Sequence, residues 1–262
     1  NFNFSIDIKT LPAANQKASG RCWLFAATNV LREIIAKKLN VDNFELSQSY
    51  LAFFDKFERI NYYIASVIDT ADEAYNSRVV DHIVGTGVHD GGQWDMFVNI
   101  VKKYGILPKV CYPETFQSSN TGNVNKHINN YLRAKTPELR RLAAAGETEA
   151  LAALRAEMLE KTYSFMCACY DVPPQEFDFE YKDKDGKVIS KHRLTIEAVN
   201  DQFPGKDYIL AQDAVYERGT IMGTAVWDDV TKASNLLKKA RAYLEERKLF
   251  ITSLELTALD LS

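Results

Sequence analysis

Metal-ligand spacing, a membrane-length apolar run and a surplus of charge are all missing from this sequence. The four cysteines are Cys22, Cys111, Cys167 and Cys169, with no Cys-x-x-Cys pair among them. His82, His89, His127 and His192 fall at no ligand spacing. Zinc sites usually carry such spacing, so no metal site and no cofactor are expected. Cys167 and Cys169 are two apart on a predicted helix, face different ways and cannot easily bridge each other. Few cysteines without framework spacing fit a reducing compartment, and the expected location is the cytoplasm. No apolar run reaches the ~18 residues of a membrane span, so no membrane helix is expected. The opening "NFNFSIDIKT" has no basic segment followed by an apolar one, so no signal peptide is read. It also lacks an initiator Met, which suggests a chain beginning inside a longer protein. With 32 basic and 35 acidic residues the net charge is −3, and nucleic acid is not indicated as a partner.

What is present fits a globular chain. Apolar residues make up 46% and charged residues 26% of 262 positions, enough for one large domain or two modest ones. "FNFSIDI" alternates like a short strand. From Cys22 to about Leu39, Trp23, Ala26, Ala27, Val30, Leu31, Ile34 and Ile35 recur at helical steps. A second helix is predicted from about Ser47, as N-cap, to Thr70, with Tyr50, Phe53, Phe54, Phe57 and Tyr62 read as core packing. Gly85, Gly87, Gly91 and Gly92 predict a flexible loop, followed by a helix from Gln93 to Tyr104 that Gly105 closes. Residues 123–170 read as helical, with breaks near Thr136-Pro137 and Gly146, and Pro173-Pro174 stop the run. "FDFEYKDKDGKVI" predicts a hairpin around Asp185-Gly186. A short helix over 195–203, a basic amphipathic helix over 232–247 and a strand at "FITSLELTAL" complete the reading.

The chemistry centres on "NQKASGRCWLFAATNVLR". If Cys22 opens its helix, its sulfur meets free backbone N–H groups and the positive end of the helix dipole. That setting favours the thiolate, the form that attacks carbonyls. A donor for the developing oxyanion is also needed, and the Gln16 amide can supply it beside the Cys22 N–H, with Gly20 permitting the turn between them. On composition alone, a free cysteine at a helix start is more often a small apolar core residue. The pattern Gln, then Cys-Trp six residues on and an apolar helix, resembles the active-site segment of papain-like cysteine peptidases. "NQKASGRCW" resembles more narrowly the bleomycin hydrolase and aminopeptidase C family. "FELSQSYLAFFDKFERINYY", "DGGQWDMFVNIVKKYGILPK" and "YDVPPQEFDFEYKDKDGK" match further blocks of that family in order, covering about residues 1–203.

The resemblance implies an α+β papain-like cysteine peptidase fold, mainly its helical lobe with a helical and hairpin insert. It implies Cys22 as nucleophile and Gln16 as the oxyanion-hole side chain. It places Gly91 and Gly92 where an extended peptide pairs with the backbone, flanked by Asp90 and Gln93. Those two also read as an ordinary turn residue and helix-start residue. The activity implied is amino-terminal peptide-bond hydrolysis through a Cys22 thioester. The implied partners are a peptide substrate and further copies of the chain, a hexamer in that family.

Two of the family's catalytic residues, a His in a "HAM"-like segment and an Asn in an "NSWG"-like one, have no counterpart. No His follows His192 and no Asn-Ser-Trp occurs. The expectation is therefore a missing β-rich lobe, impaired catalysis and a half-uncovered apolar face on "CWLFAATNVL" that lowers stability or drives self-association. His89, two residues before the glycine pair, is the one local imidazole near the expected cleft. Residues 1–204 are expected to form the papain-like part and 205–262 an unmatched helix–strand tail, which resembles segments of phage tail-associated proteins. The alternative reading is a non-catalytic fragment or peptide-binding module, with the tail as a fusion.

Overall fold

Helix α1, Cys22–Leu39, starts at the cysteine because the Arg21 carbonyl accepts the first helical bonds, from Leu24 N and Phe25 N. It stops at Asn40, whose left-handed backbone returns its N–H to Ala36 and Lys37. Helix α2, Gln48–Asp69, begins where Ser47 Oγ accepts from Tyr50 N, as the sequence predicts. The computed structural model describes residues 10–195. The expected strand at "FNFSIDI", the helix over 195–203 apart from Thr195, and the whole 205–262 tail lie outside them.

The remaining elements wrap α2. They are α3 (Arg78–Thr86), α4 (Trp94–Tyr104), α5 (Phe116–Ser119), α6 (Gly122–Ala144), α7 (Thr148–Tyr170), β1 (Glu176–Lys182) and β2 (Val188–Thr195), with a 3-10 turn at Lys109–Cys111. Helix α2 packs against α1, α3, α4, α6 and α7, and its Leu51, Phe53, Ile60 and Ile64 are fully buried. Burying side chains of this size contributes about 1.5–3 kcal/mol each. The expected aromatic core holds in part: Tyr50 and Phe53 are buried, Phe54 and Phe57 are half-buried against the core, and Tyr62 is half-buried and not part of it. Phe54 stacks on Tyr104, and Phe53 meets Tyr163 and Tyr170 edge-on. Strands β1 and β2 pair antiparallel around Asp185-Gly186, with a bulge between Phe177 and Phe179. That hairpin is anchored to the end of α1: Lys184 N donates to Asn40 O at 2.8 Å and Asn40 Nδ2 to Asp185 Oδ2 at 2.8 Å.

Four expectations are corrected. Gly85 belongs to α3, not to a loop, because Ser77 caps that helix through Val80 N and carries it to Thr86. Helix α6 runs through Pro137 without the expected break near Thr136-Pro137. Pro137 and Arg133, whose carbonyl lacks the helical partner, are exposed residues, while buried Leu132, Thr136 and Leu139 hold both halves of the helix. The apolar face of α1 is not half uncovered: Trp23, Leu24, Phe25, Ala27, Leu31, Ile34 and Ile35 are all buried, and the exposed positions near its start are Cys22 and Ala26. The positive φ in the turn before α1 is at Lys17, not Gly20. The four cysteines are free. Among the described residues no helix is long and apolar enough to cross a membrane, and no group of three His, Cys, Asp or Glu could hold a metal ion.

Candidate active site

Cys22 is the first residue of α1 and is exposed. Its thiol has no hydrogen-bond partner among the described residues. The N–H groups of Cys22 and Trp23 precede the first helical bonds and have no partner among the described residues. The segment before it is a closed turn. Asn15 Oδ1 accepts from Lys17 N at 2.8 Å, Ser19 Oγ donates to Gln16 O at 2.6 Å, and Gln16 Nε2 donates to Ser19 O at 2.7 Å. That bond uses one of the two amide hydrogens of Gln16. The second has no partner among the described residues.

The loop of residues 87–93 is pinned beside this turn by Asp90. Its Oδ2 accepts from Gly20 N at 3.2 Å and from Thr121 Oγ1 at 2.5 Å, its Oδ1 accepts from Lys56 Nζ at 2.7 Å, and its carbonyl accepts from Trp23 Nε1 at 2.6 Å. Gly20 is needed for this approach, since a Cβ there would lie 2.9 Å from Asp90 Cβ. Gly92 lies on the indole of Trp23, where a Cβ would come within 2.5 Å of the ring. Gly91 is exposed and its carbonyl accepts from Arg59 Nη2 at 2.5 Å. Neither the Gly92 N–H nor its carbonyl has a partner among the described residues. Gln93 is exposed and precedes α4 without capping it through its side chain.

The electrostatics explain why the loop stays put. Burial raises the Asp90 carboxyl, but the Lys56 ammonium and hydrogen bonds from Lys56, Thr121 and Asn125 outweigh it and hold it well below the usual carboxylate range. Burial pulls the Lys56 ammonium down and the Asp90 carboxylate opposes it. Burial, then the Arg59 guanidinium, lowers His89 below its ordinary value. The His89 ring faces Arg59 Nη1, at 3.2 Å from Nε2 and 3.4 Å from Nδ1. It is thus engaged by α2 and not by the thiol. His127 lies against Phe165, and His192 pairs with Asp178 in the hairpin at 3.5 Å.

Sequence reasoning missed Arg21, Lys56, Arg59 and Glu114. Arg21 is buried, with Nη1 and Nη2 each 3.0 Å from a Glu114 carboxylate oxygen, and so fixes the backbone next to Cys22. Lys56 and Arg59 interrupt the apolar pattern of α2 at positions that turn out buried. A charge on the inner face of a predicted helix was the available signal.

The Peptidase C1-like family model matches residues 1–213. Aminopeptidase C of Streptococcus thermophilus is 40% identical over 212 residues, 79% of this chain and 48% of that protein. Bleomycin hydrolase of Homo sapiens is 41% identical over 187 residues, 70% of this chain and 41% of that one. The crystal structure of PepW from Lactobacillus rhamnosis superposes with a TM-score of 0.75 at 40% identity, over 78% of this chain and 46% of that one. The chain belongs to the Peptidase C1-like family. Its helix-rich described part, with one small two-stranded sheet, is an α+β papain-like arrangement. The chain spans less than half the length of each of these relatives.

Proposed function

We propose that this chain carries the nucleophile of a cysteine-type aminopeptidase. The observation that carries the reading is an exposed, unpartnered thiol at the first position of α1, beside a glycine edge clamped to the same segment through Asp90. Attack by the Cys22 thiolate forms a C–S bond at the peptide carbonyl. The amine then leaves with a proton as the C–N bond breaks, and water opens the thioester. The free amide hydrogen of Gln16 and the Cys22 N–H receive the oxyanion. Gly91 and Gly92 offer backbone pairing to the substrate, with Asp90 holding them and Gln93 at the rim. The names of the relatives support cleavage of amino-terminal residues. Among the described residues no imidazole hydrogen-bonds the Cys22 thiol, and the proposal places the base on other polypeptide. The setting proposed is the cytoplasm, with further copies of the chain as partners. The peptidase part is proposed as residues 1–204, inside the 1–213 that the family model matches, with 205–262 as the tail.

The absence of an imidazole facing the thiol favours a second reading, a peptide-binding module without turnover. Hydrolysis of a fluorogenic aminoacyl amide under reducing conditions, with Cys22→Ala as control, decides between them. Turnover that vanishes in Cys22→Ala supports the peptidase. No turnover above the control, even with a relative's His-bearing C-terminal half added, supports binding alone.

A further inference from the structure

Gly91 C=O and Gly92 N–H are the two ends of one peptide unit. That unit is planar and trans, so its carbonyl and its N–H point in opposite directions. A glycine on each side lets the plane rotate at little cost, because neither flanking dihedral is restricted by a Cβ. Something must hold it if Gly92 N–H is to face a substrate consistently. Arg59 is placed to do so. Its side chain is 5% exposed and all three guanidinium nitrogens are in use: Nε to Asp55 at 2.9 Å, Nη1 against the His89 ring, and Nη2 to Gly91 O at 2.5 Å. Asp55 and Arg59 are both on α2, the helix at the centre of the fold, so the anchor is rigid. The Asp90 clamp fixes where the loop lies. The Arg59 bond fixes which way this one peptide plane faces.

We infer that Arg59 is a positioning residue for the substrate main chain, holding the Gly91 carbonyl toward α2 so that the Gly92 N–H is presented away from it. The inference rests on the reading of Gly91-Gly92 as the substrate's backbone edge. Lysine keeps the charge beside Asp55, but it is a single point donor and cannot reproduce the planar fork that reaches Asp55, His89 and Gly91 together.

The test is alkylation of Cys22, which needs no turnover. An N-acetyl-dipeptidyl chloromethyl ketone forms a thioether as chloride leaves, and site-resolved mass spectrometry follows Cys22 separately from the other three cysteines. Iodoacetamide, which has no peptide backbone to read, reports the thiol alone. In the native chain the peptidyl probe shows saturation. In Arg59→Lys its half-saturation concentration rises about tenfold, as for a misplaced binding group, while its limiting rate and the iodoacetamide rate hold. Arg59→Gln replaces that variant if cooperative thermal unfolding shows that Arg59→Lys does not fold. An unchanged half-saturation concentration in a folded variant overturns the inference and leaves the edge reading intact. A native chain with no saturation removes the edge reading, and this inference with it.

Discussion

The two adjacent glycines of the loop clamped beside Cys22 have different physical reasons to be glycine. At Gly91 an added Cβ would meet only the His89 ring, at 3.6 Å, whereas at Gly92 it would enter the Trp23 indole. Gly92→Ala is therefore expected to cost ~1–3 kcal/mol through forced repacking, read as a lower urea midpoint. Gly91→Ala is expected to leave the midpoint nearly unchanged. Asp90→Asn would leave the Lys56 ammonium buried without its counter-charge, and is expected to cost about 3–5 kcal/mol. The Asp90 carboxyl is held below its unfolded value, so its stabilisation is complete above about pH 4 and is lost as the pH falls toward the folded value. His89 is also lowered in the folded chain, by burial first and Arg59 second. The unfolded chain then binds the extra proton, and stability declines as the pH drops below about 6.5. His89→Gln is expected to flatten that part of the stability–pH curve, measured by urea unfolding between about pH 7 and pH 5.

At the scale of elements, caps and packing decide where helices start and whether they survive an unfavourable residue. Ser47 Oγ accepts from Tyr50 N and donates to Tyr112 O at 2.6 Å, while fully buried. Ser47→Ala removes the cap and leaves a buried carbonyl unpaired, with an expected loss of about 2 kcal/mol in urea unfolding. Pro137 is the opposite case. Its helix persists although it lacks an N–H, because Thr136 Oγ1 bonds Leu132 O and meets Tyr63 Oη on α2. Pro137→Ala restores the missing bond on the exposed side and is expected to raise stability by about 1–2 kcal/mol, net of a looser unfolded chain. The predicted break near Gly146 is real, with α6 ending at Ala144 and α7 starting at Thr148. Pro137 and Gly146 give the same kind of local signal for a break, and only tertiary packing separates the true one from the false one.

At the scale of the whole molecule, the described residues share one apolar cluster running from Trp23 on α1 through α2, α4, α6 and α7 to Phe177 and Phe179 on the hairpin. A single cluster predicts one cooperative unfolding transition for this part of the chain, checked by coincident thermal curves from circular dichroism and tryptophan fluorescence. Self-association through an uncovered α1 is no longer the expectation, since its large apolar side chains are buried. Association of copies, proposed from the family resemblance, would have to use other surfaces. Exposed Val110, Phe116 and Val172 are candidates, and light scattering that returns only the monomer mass would count against it.

The sequence alone determined the elements whose causes are local: the start of α1 at Cys22, the Ser47 cap, the Gln93–Gly105 span and the hairpin turn. Periodicity, caps and turn residues act within a few positions, so they can be read in a line. The tertiary structure decided what arranges the site. Gly20 meets Asp90 across 70 residues, Lys56 meets Asp90 across 34, and Arg59 meets the Gly91 carbonyl across 32. Each of these contacts joins a charge or a bare backbone to a partner on another element. No local pattern specifies such a meeting, because it exists only after α2 is buried and the loop is folded over it.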